Sequence, residues 1–132
     1  MKIKKVKKLT IGQLQKKLWE ECKRIIRDIY VRKDGTFICY TCDKKITALS
    51  DAHTAHFIPK SVCGAYLKYD LRNLRVCCMT CNVWLGGNGA EYYRRMVERE
   101  GQEYVDQLFL DKQKSIKAYD HYLIQYEQYK KM

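Results

Sequence analysis

Apolar residues recur at intervals of three or four positions near the start of the chain, which is the spacing of one face of an amphipathic helix. The positions concerned are Leu14, Leu18, Cys22, Ile25 and Ile29. Thr10 stands directly before this pattern and is a residue type that caps helix N-termini. Lys33, Asp34 and Gly35 then favour a turn. We therefore predict a long helix at residues 11–32.

The central part of the chain does not keep this helical spacing. Residues 36–38 and 46–59 are predicted to form strands, because they contain β-branched and aromatic residues without a helical period. A loop is predicted at residues 60–75. Helix is expected to resume near Asn82 and, after an interruption by two adjacent glycines, to continue through residues 91–96.

A further helical region is predicted after a break at Gly101, at residues 102–110. The last segment, about residues 113–130, has an apolar and aromatic face with a helical spacing. This face consists of Ile116, Tyr119, Leu123 and Tyr126. Helices at both ends and strands in the middle, without an internal repeat, predict the α+β class.

The length of 132 residues leaves room for one compact domain. We divide the chain into a basic arm at residues 1–10 and a single domain at residues 11–132. The domain comprises the first helix, a core at residues 36–100 and C-terminal helices at residues 101–132.

The chain carries a large excess of positive charge. Its 26 Lys and Arg residues exceed its 15 Asp and Glu residues by 11, and the isoelectric point is about 9.3. Such a surface attracts a polyanion, either nucleic acid or an anionic membrane. No apolar run approaches the ~20 residues of a membrane-spanning helix, and the lysine-rich start does not resemble a secretory signal. We therefore expect a cytoplasmic protein that does not span a membrane.

Seven cysteines in a chain expected in the reducing cytoplasm favour metal binding over disulfides. Two Cys-x-x-Cys pairs, Cys39 with Cys42 and Cys78 with Cys81, have the spacing that places two thiolates on one tetrahedral Zn²⁺. Cys77 is an alternative to Cys78, but Cys78 keeps the two-residue spacing. We predict that the two pairs share one structural zinc ion.

The two pairs are separated by 35 residues, more than the roughly 15 to 20 of a simple paired site, so a further unit is inserted between them. This insert contains His53 and His56 on a predicted strand, and Asn82 follows the second pair at a predicted helix start. A zinc ion joining these elements lets a strand histidine face the asparagine across a narrow gap. Hydrolysis of a phosphodiester needs a base near neutral pH and a divalent cation, and histidine and Mg²⁺ suit these roles.

The order of these motifs resembles the NinG (Rap) recombination nucleases of lambdoid phages. The resemblance rests on six ordered blocks and covers roughly residues 14–110. The blocks are the first Cys-x-x-Cys pair, Ala55-His56-Phe57, Arg72-Asn73-Leu74, Cys78-x-x-Cys81-Asn82, Gly87-Asn88, and Gly101-Gln102-Glu103-x-Val105-Asp106. The resemblance implies the His-Me finger (HNH) superfamily, with a zinc-bound ββα core and one catalytic metal ion. It also implies cleavage of branched recombination intermediates, such as Holliday junctions, forks and loops.

The same resemblance implies roles for particular residues. His56 is expected to be the general base, Asn82 to offer its amide oxygen to a catalytic Mg²⁺ or Mn²⁺, and Asn73 to fix the loop or the orientation of His56. Resolvases of this superfamily have an aspartate directly before the catalytic histidine, where this chain has an alanine. Because alternate strand residues share a face, His53 is a candidate for the missing ligand, with Asp51 in reserve.

Binding to DNA is expected to be independent of sequence, because basic residues near the proposed site suit phosphate contacts and no base-reading helix is evident. These residues are Lys60, Lys68, Arg72, Arg75, Arg94 and Arg95. Symmetric cleavage of a four-way junction needs two active sites, which predicts a homodimer. Phage recombination proteins are further candidate partners. A non-catalytic zinc-ribbon DNA-binding or recombination accessory protein is the alternative, and a site-specific homing or restriction nuclease is a third interpretation.

Overall fold

The computed structural model of the protein describes residues 8–132, so most of the predicted basic arm lies outside the described residues. Helix α1 runs from Ile11 to Tyr30. Thr10 caps it as expected, since the Thr10 hydroxyl accepts a hydrogen bond from the Gln13 backbone N–H (3.2 Å). In return, the Gln13 side chain accepts one from the Thr10 backbone N–H (2.9 Å). This reciprocal pair satisfies two backbone donors at the helix start.

The buried face of α1 differs from the expected one at its end. The buried residues are Leu14, Leu18, Cys22, Ile25 and Ile26. The prediction that Ile29 belongs to this face is wrong, because Ile29 is 58% exposed in the last turn, which lies at the surface. Ile26 takes a buried position instead, four residues after Cys22.

Four short strands form two antiparallel pairs. Strand β1 (Phe37–Ile38) pairs with β2 (Lys45–Ile46), so the first Cys-x-x-Cys pair lies in the connection between them. Strand β3 (His53–His56) pairs with β4 (Leu74–Cys77), with the first residue of β3 opposite the last residue of β4. Helix α1 packs on β3 and β4.

The predicted loop at residues 60–75 is wrong over most of its length, because it contains two short helices and the start of a strand. Helix α2 (Gly64–Leu67) and a 3₁₀ turn (Leu71–Asn73) precede β4. Every residue of β4 is buried, so this strand lacks the alternation of apolar and polar residues that marks a half-exposed strand. A charged residue such as Arg75 is typical of a solvent-exposed segment, but its side chain is only 4% exposed here.

The second half of the chain is helical. A one-turn π-helix (Thr80–Trp84) follows β4, and α3 (Gly89–Glu100) begins after the predicted glycine break. Helix α4 (Gln102–Asp111) starts directly after Gly101, whose φ of +98° ends α3. Helix α5 (Ala118–Tyr129) packs along α1.

Helix α5 buries a face that only partly matches the predicted one, since Tyr119 and Tyr126 of the predicted face pack against the core. Tyr122, Gln125 and Tyr129 are its buried residues, whereas Leu123 of the predicted face is 37% exposed. The Tyr129 hydroxyl donates a hydrogen bond to the Tyr69 carbonyl (2.8 Å), and the Tyr122 ring meets the Tyr69 ring edge-on at 5.0 Å. These tyrosine contacts set the rotation of α5 about its own axis. The spacing of hydrophobic residues along the sequence does not reveal such contacts.

The helices and the two small antiparallel sheets confirm the predicted α+β class. The main core lies between α1, the β3–β4 pair and α5. Within residues 8–132, no helix has both the length and the apolar character needed to cross a membrane.

Candidate functional site

Four cysteine thiols from two separate parts of the chain lie together. The Sγ atoms of Cys39, Cys42, Cys78 and Cys81 are all within 4.8 Å of one another. Those of Cys42 and Cys78 are 3.7 Å apart, close to the separation of about 3.8 Å that follows from a tetrahedral zinc ion with Zn–S bonds of about 2.3 Å. The cluster could therefore hold one structural zinc ion, as predicted. Cys77 is not part of it, which decides the choice in favour of Cys78.

Backbone and side-chain N–H groups support the sulfur atoms of this cluster. The Cys78 backbone N–H donates to Cys39 Sγ (3.2 Å), and the Asn88 side-chain amide lies 3.7 Å from Cys81 Sγ. Such donors stabilise negative charge on sulfur. Asn88 has a left-handed backbone (φ +51°), which asparagine tolerates better than most residues. The Asn88 contact was not predicted, and an asparagine after two glycines is its only signal in the sequence.

His56, at the end of β3, has a fixed ring orientation. Its Nε2 lies 2.8 Å from the Lys68 carbonyl oxygen, and its ring stacks on the Trp19 indole at a centroid distance of 5.3 Å and an interplanar angle of 13°. A carbonyl oxygen can only accept, so Nε2 carries the hydrogen and Nδ1 of the neutral ring keeps its lone pair. Burial lowers the pKa of His56 below its ordinary value and favours this neutral form. Nδ1 is therefore able to accept a proton near neutral pH.

Asn82 contacts one histidine of β3 and shares a pocket with the other. Its amide nitrogen is 3.1 Å from His53 Nδ1. Asn82 also lines an open pocket of 190 Å³ together with His56, and Gly86 and Gly87 form part of the pocket wall. Asn82 is thus in contact with His53 and lines one pocket with His56, whereas His53 is not among the residues that line that pocket.

Asp51, the reserve candidate for a metal ligand, has other partners. Its Oδ1 accepts a hydrogen bond from the Met79 backbone N–H (2.8 Å), and its Oδ2 accepts one from Lys44 Nζ (2.9 Å). These contacts lower the pKa of Asp51, and the Met79 bond is the larger cause. Because both carboxylate oxygens are bound, Asp51 supports the start of the π-helix, and we do not retain it as a ligand.

Asn73 and Tyr92 hold the backbone on either side of His56. The buried Asn73 side chain accepts a hydrogen bond from the Ile58 N–H (2.8 Å) and donates one to the Ile58 carbonyl (3.0 Å). The Tyr92 hydroxyl donates to the Ala55 carbonyl (2.9 Å). Asn73 is thereby placed to restrict the position of His56 through the chain that follows it.

The family model described as bacteriophage lambda NinG protein matches residues 1–132, the whole chain. The chain belongs to the NinG family. Comparison with curated proteins and with solved structures gives no match. Membership confirms the family that the order of the motifs indicated.

Two of the six basic residues predicted to contact DNA border His56 in this NinG-family protein. Lys60 and Lys68 line a second open pocket, of 230 Å³, together with His56 and Trp19. Lys16 of α1, which is outside the predicted set of six, lines the same pocket. Among residues 8–132, none of these three lysines forms an ion pair, so their charges are available to an anionic ligand.

The other four basic residues have partners within the protein. Arg72, Arg94 and Arg95 form ion pairs with Asp and Glu side chains. Arg75 is buried in β4 and donates to the backbone carbonyls of Arg72 (3.0 Å) and Leu74 (2.7 Å). The prediction that Arg75 contacts DNA is therefore wrong, because its guanidinium supports the sheet.

Trp19 was not predicted as a site residue. It lies one position after Leu18 of the buried face of α1, and its ring reaches His56, which is 37 residues later in the NinG-family chain. Helical spacing identifies the face that packs on the sheet, but it does not reveal which neighbouring side chain covers the histidine.

Proposed function

We propose that the protein is a metal-dependent DNA endonuclease of the His-Me finger (HNH) type. Membership of the NinG family supports a role related to phage recombination. The observation that carries the proposal is the orientation of His56, whose Nε2 is bound to the Lys68 carbonyl and whose ring shares a pocket with Asn82. A histidine held in one tautomer beside an amide ligand suits the activation of water for attack on a phosphodiester.

The order of the elements supports this proposal. Strand β3, strand β4 and the π-helix come in this order along the chain, with α2 and the 3₁₀ turn between the two strands. The cysteine cluster joins the end of β4 to the β1–β2 connection, and Asn82 directly follows Cys81. A zinc ion at the cluster would therefore fix the position of Asn82. This arrangement is what we expect of a zinc-bound ββα core.

His53 and Asn82 are the residues that would hold the catalytic ion. A flip of the Asn82 amide presents its oxygen where the nitrogen now lies. One imidazole nitrogen and one amide oxygen fit a divalent ion that keeps its other positions for water and phosphate oxygens. When bound, Mg²⁺ or Mn²⁺ neutralises charge on the phosphate and on the leaving oxygen. Because one ligand is a nitrogen and neither is charged, Mn²⁺ should serve better than Mg²⁺.

The protein's own residues divide the remaining tasks. His56 Nδ1 takes the proton from the attacking water, and the Lys68 carbonyl keeps the hydrogen on Nε2. Trp19 covers one face of the imidazole and limits its rotation. Lys16 and Lys60, together with the Lys68 side chain, offer positive charge to the phosphates on either side of the scissile bond.

Branched DNA is the proposed substrate, and two copies of the chain are proposed to act on it together. Symmetric cleavage of a four-way junction needs two active sites. The net charge of +11 favours binding through phosphates, with strong dependence on salt. A protein of this kind would act in the cytoplasm of the bacterial host, where phage recombination proteins are available as partners.

Cleavage of an end-labelled four-way junction and of a linear duplex of matched sequence, with Mg²⁺ or Mn²⁺, tests the proposal. The protein should cut near the branch point, and His56→Ala should lower the rate by about 10²- to 10⁴-fold while zinc content and DNA binding persist. His121→Ala is a matched control, because His121 also stacks on an aromatic ring (Tyr66, 5.0 Å) and approaches a backbone carbonyl, but lies on α5. Failure to cut with either metal, or equal rates for His56→Ala, would contradict the proposal.

A non-catalytic zinc-ribbon DNA-binding or recombination accessory protein is the second candidate. One observation favours it: within residues 8–132, the cysteine cluster is the only group of three or more His, Cys, Asp or Glu side chains placed to hold a metal. Among residues 8–132, neither pocket that contains His56 is lined by an Asp or Glu side chain, so neither pocket offers a carboxylate to a divalent ion. Under this alternative, the same assay would give DNA binding without cleavage in any metal, and His56→Ala would leave that binding unchanged.

A further inference from the structure

An apolar triplet stands exposed beside the candidate site. Val83, Trp84 and Leu85 are 55%, 75% and 56% exposed, respectively. They directly follow Asn82, which lines the pocket that contains His56. Single exposed apolar residues are common on proteins, whereas contiguous ones beside a functional pocket mark a surface that contacts a ligand or partner.

The triplet is presented on a rigid turn. The Leu85 N–H donates to the Thr80 carbonyl (2.9 Å), and the Gly87 N–H donates to the Cys81 carbonyl (2.9 Å). Gly86 and Gly87 have φ angles of +59° and +95°, so the chain changes direction immediately after the triplet. Cys81 of the cysteine cluster lies in the same turn. The three side chains are therefore held at the surface with little backbone freedom.

We propose that Trp84, with Val83 and Leu85, is a wedge that stacks on unpaired or unstacked bases at a DNA branch point. This inference rests on the proposed nuclease function and deepens it by naming what would select branched DNA. In a continuous duplex each base is covered by its neighbours, whereas bases at a junction or loop expose a face. Apolar side chains that enter base steps and aromatic rings that stack on single bases are both established modes of nucleic-acid recognition.

The charge of the chain favours nucleic acid over a second copy as the partner of the triplet, and Lys60 lines the same pocket as Asn82. The chain has a net charge of +11, and Lys16, Lys60 and Lys68 line the adjoining pocket at His56 without ion pairs among residues 8–132. A second copy would bring like charge to this face, which opposes association through it. A strand of DNA supplies phosphates for the lysines and flat apolar bases for Trp84.

Binding measured without added Mg²⁺ or Mn²⁺, and without a chelator, tests the wedge independently of cleavage. The probes are a fluorescein-labelled four-way junction and a duplex of matched sequence, followed by anisotropy. Trp84→Ala should weaken junction binding about 10-fold and duplex binding less than about 2-fold, because only the junction offers an exposed base. Trp84→Phe keeps a ring and should retain most of the preference. Ile124→Ala, at a position of α5 that is 58% exposed, is the control and should change neither affinity.

Tryptophan fluorescence reads the contact itself. The chain has two tryptophans, so Trp19→Phe leaves Trp84 as the only one. In that variant, the junction should quench the emission of Trp84 and protect it from iodide, whereas the duplex should do so much less. Equal quenching by both DNAs would contradict stacking at the branch point.

The outcomes separate the wedge from the nuclease proposal. Equal losses of affinity for junction and duplex in Trp84→Ala, or no loss for either, overturn the wedge. A change from dimer to monomer in sedimentation of Trp84→Ala also overturns it, because the triplet would then be a subunit interface. Failure of the nuclease proposal appears instead as absence of cleavage by the unmodified protein, with the binding ratio unaffected.

Discussion

The two hydrogen bonds of the Asn73 side chain lead to a quantitative prediction for Asn73→Ala. This side chain is fully buried and bonds both the N–H and the carbonyl of Ile58, which is itself 2% exposed. Removal of the amide leaves two buried backbone groups without partners, at about 1–3 kcal/mol each. Water entering the vacated space recovers part of this loss. We therefore expect the free energy of unfolding to fall by about 3 kcal/mol.

Urea denaturation of the zinc-loaded protein measures this change. With a slope of about 1.5–2 kcal/mol per molar urea for a domain of this size, 3 kcal/mol corresponds to a midpoint lowered by about 1.5–2 M. Gln125→Ala is the matched control, because Gln125 is another buried amide (6% exposed) whose Oε1 accepts no hydrogen bond from residues 8–132. Its midpoint should move by less than about 0.5 M. Equal shifts for the two variants would refute the reasoning.

Three measurements probe the site further. Burial lowers the pKa of His56, and this residue must be neutral to act as a base. The cleavage rate should therefore rise with pH through a midpoint below about 6.5 and be lost only as the pH falls through that midpoint. Initial rates with a midpoint above about 7 would contradict this prediction. Cys42→Ser should release zinc and lower the melting temperature, whereas Cys63→Ser, outside the cluster, should keep one zinc ion per chain by elemental analysis. Lys60→Ala should reduce the slope of the logarithm of the DNA-binding constant against the logarithm of the salt concentration by about one. Arg75→Met should keep that slope and lower the stability of the protein. Equal changes in slope for the two variants would show that Arg75 contacts DNA.

Features encoded in short segments could be predicted from the sequence. The helix α1 followed from Thr10 and from the spacing of apolar residues, because a cap and a helical face are local properties. The cysteine cluster followed from two Cys-x-x-Cys pairs, because zinc geometry needs that local spacing. The contact between His53 and Asn82 was anticipated from the same argument, since a zinc ion at the cluster would join the two parts of the chain that carry them.

Features that depend on distant contacts could not be predicted in this way. The stacking of Trp19 on His56 joins α1 to β3, and no periodicity within either element indicates it. Arg75 has the residue type of a phosphate contact but is enclosed by backbone carbonyls of its own region. The rotation of α5 is set by hydroxyl and ring contacts of its tyrosines to Tyr69, which hydropathy does not record. In each case the partner, rather than the residue type, determines the role.

Cys42 is the one exposed member of the cysteine cluster, and the other three thiols are buried. An oxidant in solution therefore meets the Cys42 sulfur first. A peroxide would oxidise Cys42 to a sulfenic acid, which can condense with the Cys78 thiol, whose Sγ lies 3.7 Å away. The condensation would release water and form a disulfide. Any zinc ion held by the cluster would be lost, because two of its four ligands would be gone. The position of Asn82 would then depend on the redox state of its surroundings through a single sulfur atom.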